Sequence, residues 1–558
     1  MTSPRMRVYD VVADLLKQAG VECIFGVMGE DTAPLVVAAA ARGITCHAAR
    51  HENQAVAMAD GYARATGRTG YATVTGGPGF SNALTAIHTA HRAGSPVLVI
   101  TGAGRPGEDD RESGVVRTAT AVSWLKQFPQ AAALDLLGIP VVKPLEGAAA
   151  ASATRRALTL GARGTAVLVL GRQLLLEEVS PPADSSPVED AATPTEAPAA
   201  QEISALADIL AESWAVSRPV ILAGRGALNG GAAPALKRLG ELTGALLATT
   251  LPAAALFEGD PFDIGVCGTY ATPVASELMP QADCILAFGA SLNQWTTYNN
   301  TLFPRAHVIQ VDADPAALGR FIDIDLGIHG DALPVAQALV AELERRGHAV
   351  IGLRSPEVKN QIASHLPDAD HRDRSTTALI DPRSLMLALD RLLPADRILC
   401  VDGGQHARFA IRNLKAARPR NFIQAVEAGS IGLAMGAGIG AAVGRAGELV
   451  VVCVGDAAMM MALGDLETAV RLGLPVLVVV SNDAALGAEV NVLSDLGMDT
   501  RQAQIPSPSF EAIARAMGAQ AATIRAAADL GVVQAWLAAN TQLPLVLDCH
   551  VNPEVRAR

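Results

Sequence analysis

Short apolar runs rich in β-branched residues recur along the chain as PVLVIT, TAVLVLG, PVILAG, HVIQVDAD, LVVVCVG and PVLVVVS, and they alternate with longer stretches of helical periodicity. Near-continuous apolar runs of this length suit strands covered on both faces, as in a parallel sheet wrapped by helices. The pattern predicts an α/β protein. Two polar breaks interrupt it. One, SPPADSSPVEDAATPTEAPAAQ, mixes proline, alanine and acids and cannot form a core; the other, around 354–384, is polar throughout, with parts that read as helical. Three parallel-sheet α/β domains follow, at 1–178, 202–350 and 382–558, joined by linkers at 179–201 and 351–381. A length of 558 residues fits three domains of roughly 150 residues each.

The first and third blocks echo one another. GPGFSNALTAIHTAHRAGSPVLVIT and GDAAMMMALGDLETAVRLGLPVLVVVS each open a helix at a glycine turn, end it at Gly-x-Pro and enter a strand. They read either as diverged copies or as two generic βαβ units. In the third block the strand LVVVCVG ends on Asp456, a crossover helix is expected over 457–473, and the next strand ends on Asn482 and Asp483. Such a unit puts both strand ends on one edge of the sheet, where ligands bind. Amides opening the helix favour anionic oxygens, and two carboxylates beside them are what a magnesium ion shared with a diphosphate requires. An aspartate after a strand also serves as a helix cap or turn residue.

Composition narrows the partners. The net charge is −12 with no lysine or arginine block, which excludes nucleic acid and anionic membrane surfaces and leaves small molecules. Seven scattered cysteines without a C-x-x-C pair fit a reduced, cytoplasmic protein and argue against zinc. The start, MTSPRMRVYDVVADLL, lacks an apolar core followed by a small-residue cleavage site, so no secretory leader is expected. The apolar, glycine-rich run 428–444 is too short for a membrane span and reads as a packed segment.

The motifs now become specific. Gly455-Asp456-Ala457, followed at family-like spacing by Asn482-Asp483, resembles the thiamine diphosphate motif of acetolactate synthase-like enzymes and 2-oxo acid decarboxylases. Ala457 stands where a third glycine is usual, and Asp483 where a second asparagine is. The resemblance implies that Asp456, Asp483 and the carbonyl of Ala485 hold Mg²⁺, and that the amides of Ala457 and Ala458 face the diphosphate. VDGGQH, with Gly404, Gln405 and His406, resembles the family's Gly-Gln-His turn, which lends backbone and side-chain donors to the diphosphate. GLAMG matches the segment that props the cofactor in its bent shape, which assigns the apolar wedge to Met435 and pyrimidine contacts to Leu433 and Met435. ARHENQAVAMADGYAR resembles the segment carrying the family's catalytic glutamate, here Glu52. By that resemblance Glu52 bonds the aminopyrimidine nitrogen and drives the imino form that removes the thiazolium proton, after which the cofactor carries the carbanion chemistry. Glu489 lies where decarboxylase-like enzymes carry a glutamate that handles protons; otherwise it is a solvated helix-face residue. The family's arrangement implies a pyrimidine-binding first domain, a central Rossmann-like domain and a diphosphate-binding third domain. It further implies a homodimer or homotetramer with active sites between subunits.

The details then diverge from acetolactate synthase. The stretch EDDRESGVVR, residues 108–117, lacks the glutamine of the family's active-site loop, and GTYA and GASLNQW replace the flavin-contacting segments. Thiamine diphosphate and Mg²⁺ are therefore expected without FAD. The expected activity is cleavage or formation of a C–C bond in a 2-oxo acid or related ketone, as decarboxylase, carboligase or both. An acetolactate synthase proper with FAD and a non-catalytic thiamine diphosphate-binding descendant are the alternatives.

Overall fold

The computed structural model describes residues 5–103, 126, 128–181, 198–213, 216–365 and 371–556. Three six-stranded sheets form, and every pairing within them is parallel. The first contains β1 (Cys23–Val27), β2 (Thr45–Ala48), β3 (Gly70–Val74), β4 (Val97–Thr101), β5 (Val141–Val142) and β6 (Thr165–Val169). Its spatial order is β2-β1-β3-β4-β6-β5. The central sheet contains β7 (Pro219–Ala223), β8 (Leu246–Thr249), β9 (Asp263–Val266), β10 (Cys284–Phe288), β11 (His307–Asp312) and β12 (Leu326–His329), in the order β9-β8-β7-β10-β11-β12. The third contains β13 (Ile398–Val401), β14 (Phe422–Gln424), β15 (Val450–Gly455), β16 (Val476–Asn482), β17 (Gln520–Ile524) and β18 (Leu545–His550), in the order β14-β13-β15-β16-β18-β17.

Taken strand by strand, the first and third sheets have the same order, 2-1-3-4-6-5, whereas the central sheet runs 3-2-1-4-5-6, the dinucleotide-fold order. The echo in the sequence therefore reflects two copies of one topology, since the central βαβ units adopt another. Their burial explains the apolar runs: β4, β6, β7, β10 and β13 are buried at every residue.

Helix α1 (Glu52–Thr66) leads from β2 to β3, and α2 (Pro78–Arg92) from β3 to β4. In the third sheet, α3 (Gln405–Asn413) follows β13 and α4 (Ala434–Gly444) leads to β15. The crossover expected as one helix over 457–473 is two, α5 (Asp456–Ala462) and α6 (Gly464–Arg471), with the break at Leu463–Gly464. Leu463 is the one residue outside both helices, and Gly464, a residue type that is the poorest helix former after proline, opens the second. Helix α7 (Gly487–Asp495) follows β16. The second polar break contains a helix, Pro356–Ser364, capped by Ser355.

Helices α1 and α4 occupy equivalent places in the two copies and pack on each other, so the first and third sheets share one apolar core. Small residues make this possible. A Cβ at Gly61 would lie 2.0 Å from the Ala437 carbonyl oxygen, and one at Gly440 would lie 1.8 Å from that of Met58. Gly436 meets the side chain of Gln54 in the same way. The glycine-rich run 428–444 thus ends in a helix buried between two domains, and no helix among the described residues is long and apolar enough to cross a membrane.

Candidate functional site

Strands β13 and β15 are neighbours at the point where the third sheet's strand order reverses, and β16 lies beside β15. Each is followed at its carboxyl end by an aspartate: Asp402, Asp456 and Asp483. Crevices at such a reversal are the ligand sites of open α/β sheets.

Asp456 and Asp483 come together. Burial and the charge of Asp456 push the Asp483 carboxyl up to about 7, and burial also raises Asp456. Asp456 Oδ2 accepts from the Ser507 hydroxyl. Asp483 Oδ1 accepts the Ala485 amide at 3.2 Å. The turn between them needs unusual backbone: Ala484 has φ +55°, and a Cβ at Gly487 would stand 2.3 Å from Asp483 Oδ2. Ala485 pairs with Gln504 as an isolated antiparallel bridge in which Ala484 O and Leu486 N make the hydrogen bonds, at 2.8 Å each. The Ala485 carbonyl points away from that ladder. Asn482, the other half of the sequence pair, is turned into the sheet instead. Its Nδ2 donates to Asp548 Oδ1 at 2.9 Å, and Asp548 Oδ2 takes the Phe510 amide at 3.0 Å.

The neighbouring turn presents His406. Gly404 has φ +122°, a conformation that favours glycine, and α3 begins immediately after it. The His406 ring is 8 % exposed and packs against Gly455, where a Cβ would lie 3.1 Å from Nδ1. Burial pushes its pKa down to about 4 against a raising hydrogen bond with the Cys453 backbone, and Nε2 is buried with no partner. Gln405 is engaged elsewhere: its Oε1 accepts from Asn491 on α7, and its Nε2 donates to the Val555 carbonyl at 3.5 Å. Asp402, fully buried, accepts the amides of Gly403, Gly432 and Ala434 at 2.8, 2.9 and 2.9 Å, and desolvation lifts it to about 6. It thereby fixes the segment bearing Leu433 and Met435, both of them buried in the core shared by the two sheets.

Glu52 is the first residue of α1, whose N-cap is His51; the His51 ring accepts the Asn53 amide at 3.1 Å. Its Oε2 accepts from Asn82 Nδ2 at 3.1 Å, and its Oε1 is 3.3 Å from where a Cβ at Gly79 would stand. The carboxylate thus lies over the glycine turn that opens α2. Two residues on, Gln54 reaches the third domain. Its Nε2 donates to the Gly432 carbonyl at 2.6 Å and its Oε1 accepts the Gly436 amide at 2.9 Å. Glu489 stands exposed in the first turn of α7. The divergent loop 108–117 lies outside the described residues. In the central domain, the loop after β7 closes on the loop after β10, a Cβ at Gly224 falling 2.1 Å from the Gly289 carbonyl oxygen.

The residues present fit a cation-bound diphosphate. Asp456, Asp483 and the Ala485 carbonyl are all-oxygen donors suited to a hard cation. The orphaned Nε2 of His406 is a buried polar atom that donates to an anionic oxygen only when the ring is protonated, because the other ring nitrogen already donates to the Cys453 backbone. Ser507, Asp402, Asp548 and Gln54 carry weight in this architecture without having been singled out by motif. Asp402 and Gln54 lie within the VDGGQH and ARHENQAVAMADGYAR segments, and the partners of Ser507, Asp548 and Gln54 are far away in sequence.

Residues 6–126 match the family described as thiamine pyrophosphate enzyme, N-terminal TPP binding domain, residues 203–339 its central domain, and residues 402–549 its C-terminal TPP binding domain. The chain is 30% identical over 548 residues to the sulfoacetaldehyde acetyltransferase of Castellaniella defragrans, covering 92% of this chain and 87% of that protein. It is 29% identical over 564 residues to the acetolactate synthase large subunit of Parasynechococcus marenigrum, covering 97% and 86%. Against the acetolactate synthase isozyme 3 large subunit of Escherichia coli the identity is 29% over 544 residues, covering 91% and 88%.

Proposed function

Since the chain belongs to the thiamine pyrophosphate enzyme family, we propose that it uses thiamine diphosphate and Mg²⁺ to break or form a C–C bond in a 2-oxo acid or related ketone. The observation that carries this reading is the convergence of Asp456, Asp483 and the His406 ring, whose Nε2 has no partner, at one edge of the third sheet. Asp456, Asp483 and the Ala485 carbonyl hold the metal. The amides of Ala457 and Ala458, with the Gly404, Gln405 and His406 turn, bind the diphosphate, whose charge favours the protonated imidazole in which Nε2 donates. Gly455 stays small so that His406 fits. Leu433 and Met435 take the pyrimidine side, on a backbone that Asp402 holds. Bound there, the cofactor supplies a carbon nucleophile and a sink for the electron pair released when the bond adjacent to the carbonyl breaks. Glu52 holds a proton at the aminopyrimidine nitrogen, and Glu489 exchanges protons with the substrate portion.

The active unit is a homodimer or homotetramer whose sites close between subunits. Supporting this, Met460 and Met461 on α5, Val492 and Leu496 on α7, and Met498 and Ile505 beyond it are large, apolar and exposed near the Asp456 and Asp483 edge. Seven unpaired cysteines support a reducing, cytoplasmic setting. The GTYA and GASLNQW segments, standing where the flavin-contacting segments are expected, support a reading without FAD.

The test is an assay of carbon dioxide release and ligated product across a panel of 2-oxo acids with cofactor and Mg²⁺, beside Glu52→Gln. Turnover that Glu52→Gln abolishes is expected; no product from any member of the panel, with cofactor shown to bind, would refute it. A second reading, acetolactate synthase itself, is favoured by the relatives so named. Acetolactate from pyruvate together with flavin absorbance in the purified protein would select it.

A further inference from the structure

The segment leading to Glu52 is held by the third domain as well as by its own, where the Ala49 amide donates to the Gly26 carbonyl at 2.9 Å. Arg471 on α6 donates to the Ala48 carbonyl at 2.5 Å, at the end of β2. Asp465, in the first turn of α6 and 1 % exposed, accepts the Arg50 amide at 2.9 Å and also bonds the His51 backbone and the Thr468 hydroxyl. The Arg50 guanidinium pairs with Glu467 at 2.6 Å on the same helix. On the far side of Glu52, the buried Gln54 side chain bonds the Gly432 carbonyl and the Gly436 amide as described above. Positions 48, 50, 51 and 54 are thus all gripped from α6 and α4, and Glu52 sits between the grips.

We infer that Asp465 and Gln54 are positioning residues that set the orientation of the Glu52 carboxylate from the third domain. The argument rests on the reading of Glu52 as the proton partner of the cofactor. Asp465 is the suitable group because a carboxylate can take two successive amides, Arg50 and His51, at the entry to α1, where neither has an intrahelical acceptor. Gln54 is suitable because one side chain offers a donor and an acceptor to two backbone groups at the start of α4. Helix α6 follows directly from α5, which begins at Asp456. One short pair of helices therefore carries a proposed metal ligand at its start and the anchor of the Glu52 turn further along. The first domain contributes the carboxylate and the Asn82 bond to it, and the third fixes the chain on both sides of it. A displacement of about 1 Å in such a group can cost on the order of 10²-fold in rate, so anchoring by buried bonds is a functional requirement as well as a packing detail.

Full-length protein carrying Asp465→Ala, Asp465→Asn, Gln54→Met or Glu52→Gln tests this. Three quantities are measured: amide hydrogen exchange of the 46–56 region without cofactor, the affinity for thiamine diphosphate with Mg²⁺, and the pH midpoint of the bound cofactor's tautomer band in near-ultraviolet circular dichroism. Asp465→Ala should speed exchange at Arg50 and His51 by about fivefold or more. It should leave cofactor affinity within about threefold and move the tautomer midpoint by roughly half a pH unit or more, and Asp465→Asn, which keeps an acceptor oxygen, should restore most of that shift. Gln54→Met cuts the α4 grip and should move the midpoint in the same direction, which keeps the test open if Asp465→Ala fails to fold. A wild-type midpoint in both Asp465→Ala and Gln54→Met, or affinity lost in step with the midpoint, would overturn the inference. A wild-type midpoint in Glu52→Gln would instead overturn the reading of Glu52 itself.

Discussion

Gly61→Ala probes the contact on which the relation between the two sheets depends. The added Cβ would stand 2.0 Å from the Ala437 carbonyl oxygen and 2.5 Å from its carbonyl carbon, and every atom it meets is backbone. No rotamer change relieves such a clash, so α1 and α4 must separate by roughly 1 Å or more to restore ordinary contact distances. The cost should reach the upper part of the ~1–3 kcal/mol range for overpacking, about 4–12 °C in melting temperature for a domain of this size. The separation also pulls Gln54 away from Gly432 and Gly436 and turns the start of α1, so kcat should fall by on the order of 10²-fold. Melting by circular dichroism and steady-state turnover with saturating cofactor provide the two readings. The control is Gly531→Ala, where a Cβ meets nothing within 4 Å and stability should hold or rise by about 0.4–1 kcal/mol. A Gly61→Ala protein with the wild-type melting temperature and wild-type kcat would refute the reasoning.

Divalent-cation affinity should strengthen as pH rises through about 7, because Asp483 must lose its proton to bind; titration calorimetry at pH 6 to 8 checks this, and Asp483→Asn should flatten the slope. His406 is held neutral with its pKa near 4 against 6.5 when free, so the unfolded chain binds the extra proton. Stability from this group is present above about 6.5 and is lost as pH falls toward 4, by about 3 kcal/mol. Denaturant unfolding of wild type and His406→Gln at several pH values should show that difference. Asp402→Ala strands the Gly403, Gly432 and Ala434 amides at about 1–3 kcal/mol each; it should melt early and lose cofactor affinity, whereas a neutral outcome would mean that water replaces the carboxylate.

Periodicity and turn chemistry were enough to identify three α/β units, because a strand buried on both faces must be apolar throughout and the residues that end it must be polar. The apolar runs likewise end at Asp456 and Asp483, and the resemblance of the motifs puts Glu52 at a helix start and His406 in a turn. Tertiary structure alone decided the rest. Strand order has no local signature, so the shared 2-1-3-4-6-5 order of the outer sheets became visible only once the strands were paired. Asn482 and Asp483 are adjacent in sequence, yet one faces Asp548 within the sheet and the other turns toward Asp456, since successive residues leaving a strand point in opposite directions. The side chain of Gln405, read as a diphosphate donor, is taken up by Asn491 and Val555. Gln54 and Asp465 read as ordinary helix residues, because the groups they bond lie hundreds of positions away: Gln54 meets Gly432 and Gly436 where two glycine-lined helices cross, and Asp465 meets Arg50 at the start of α6.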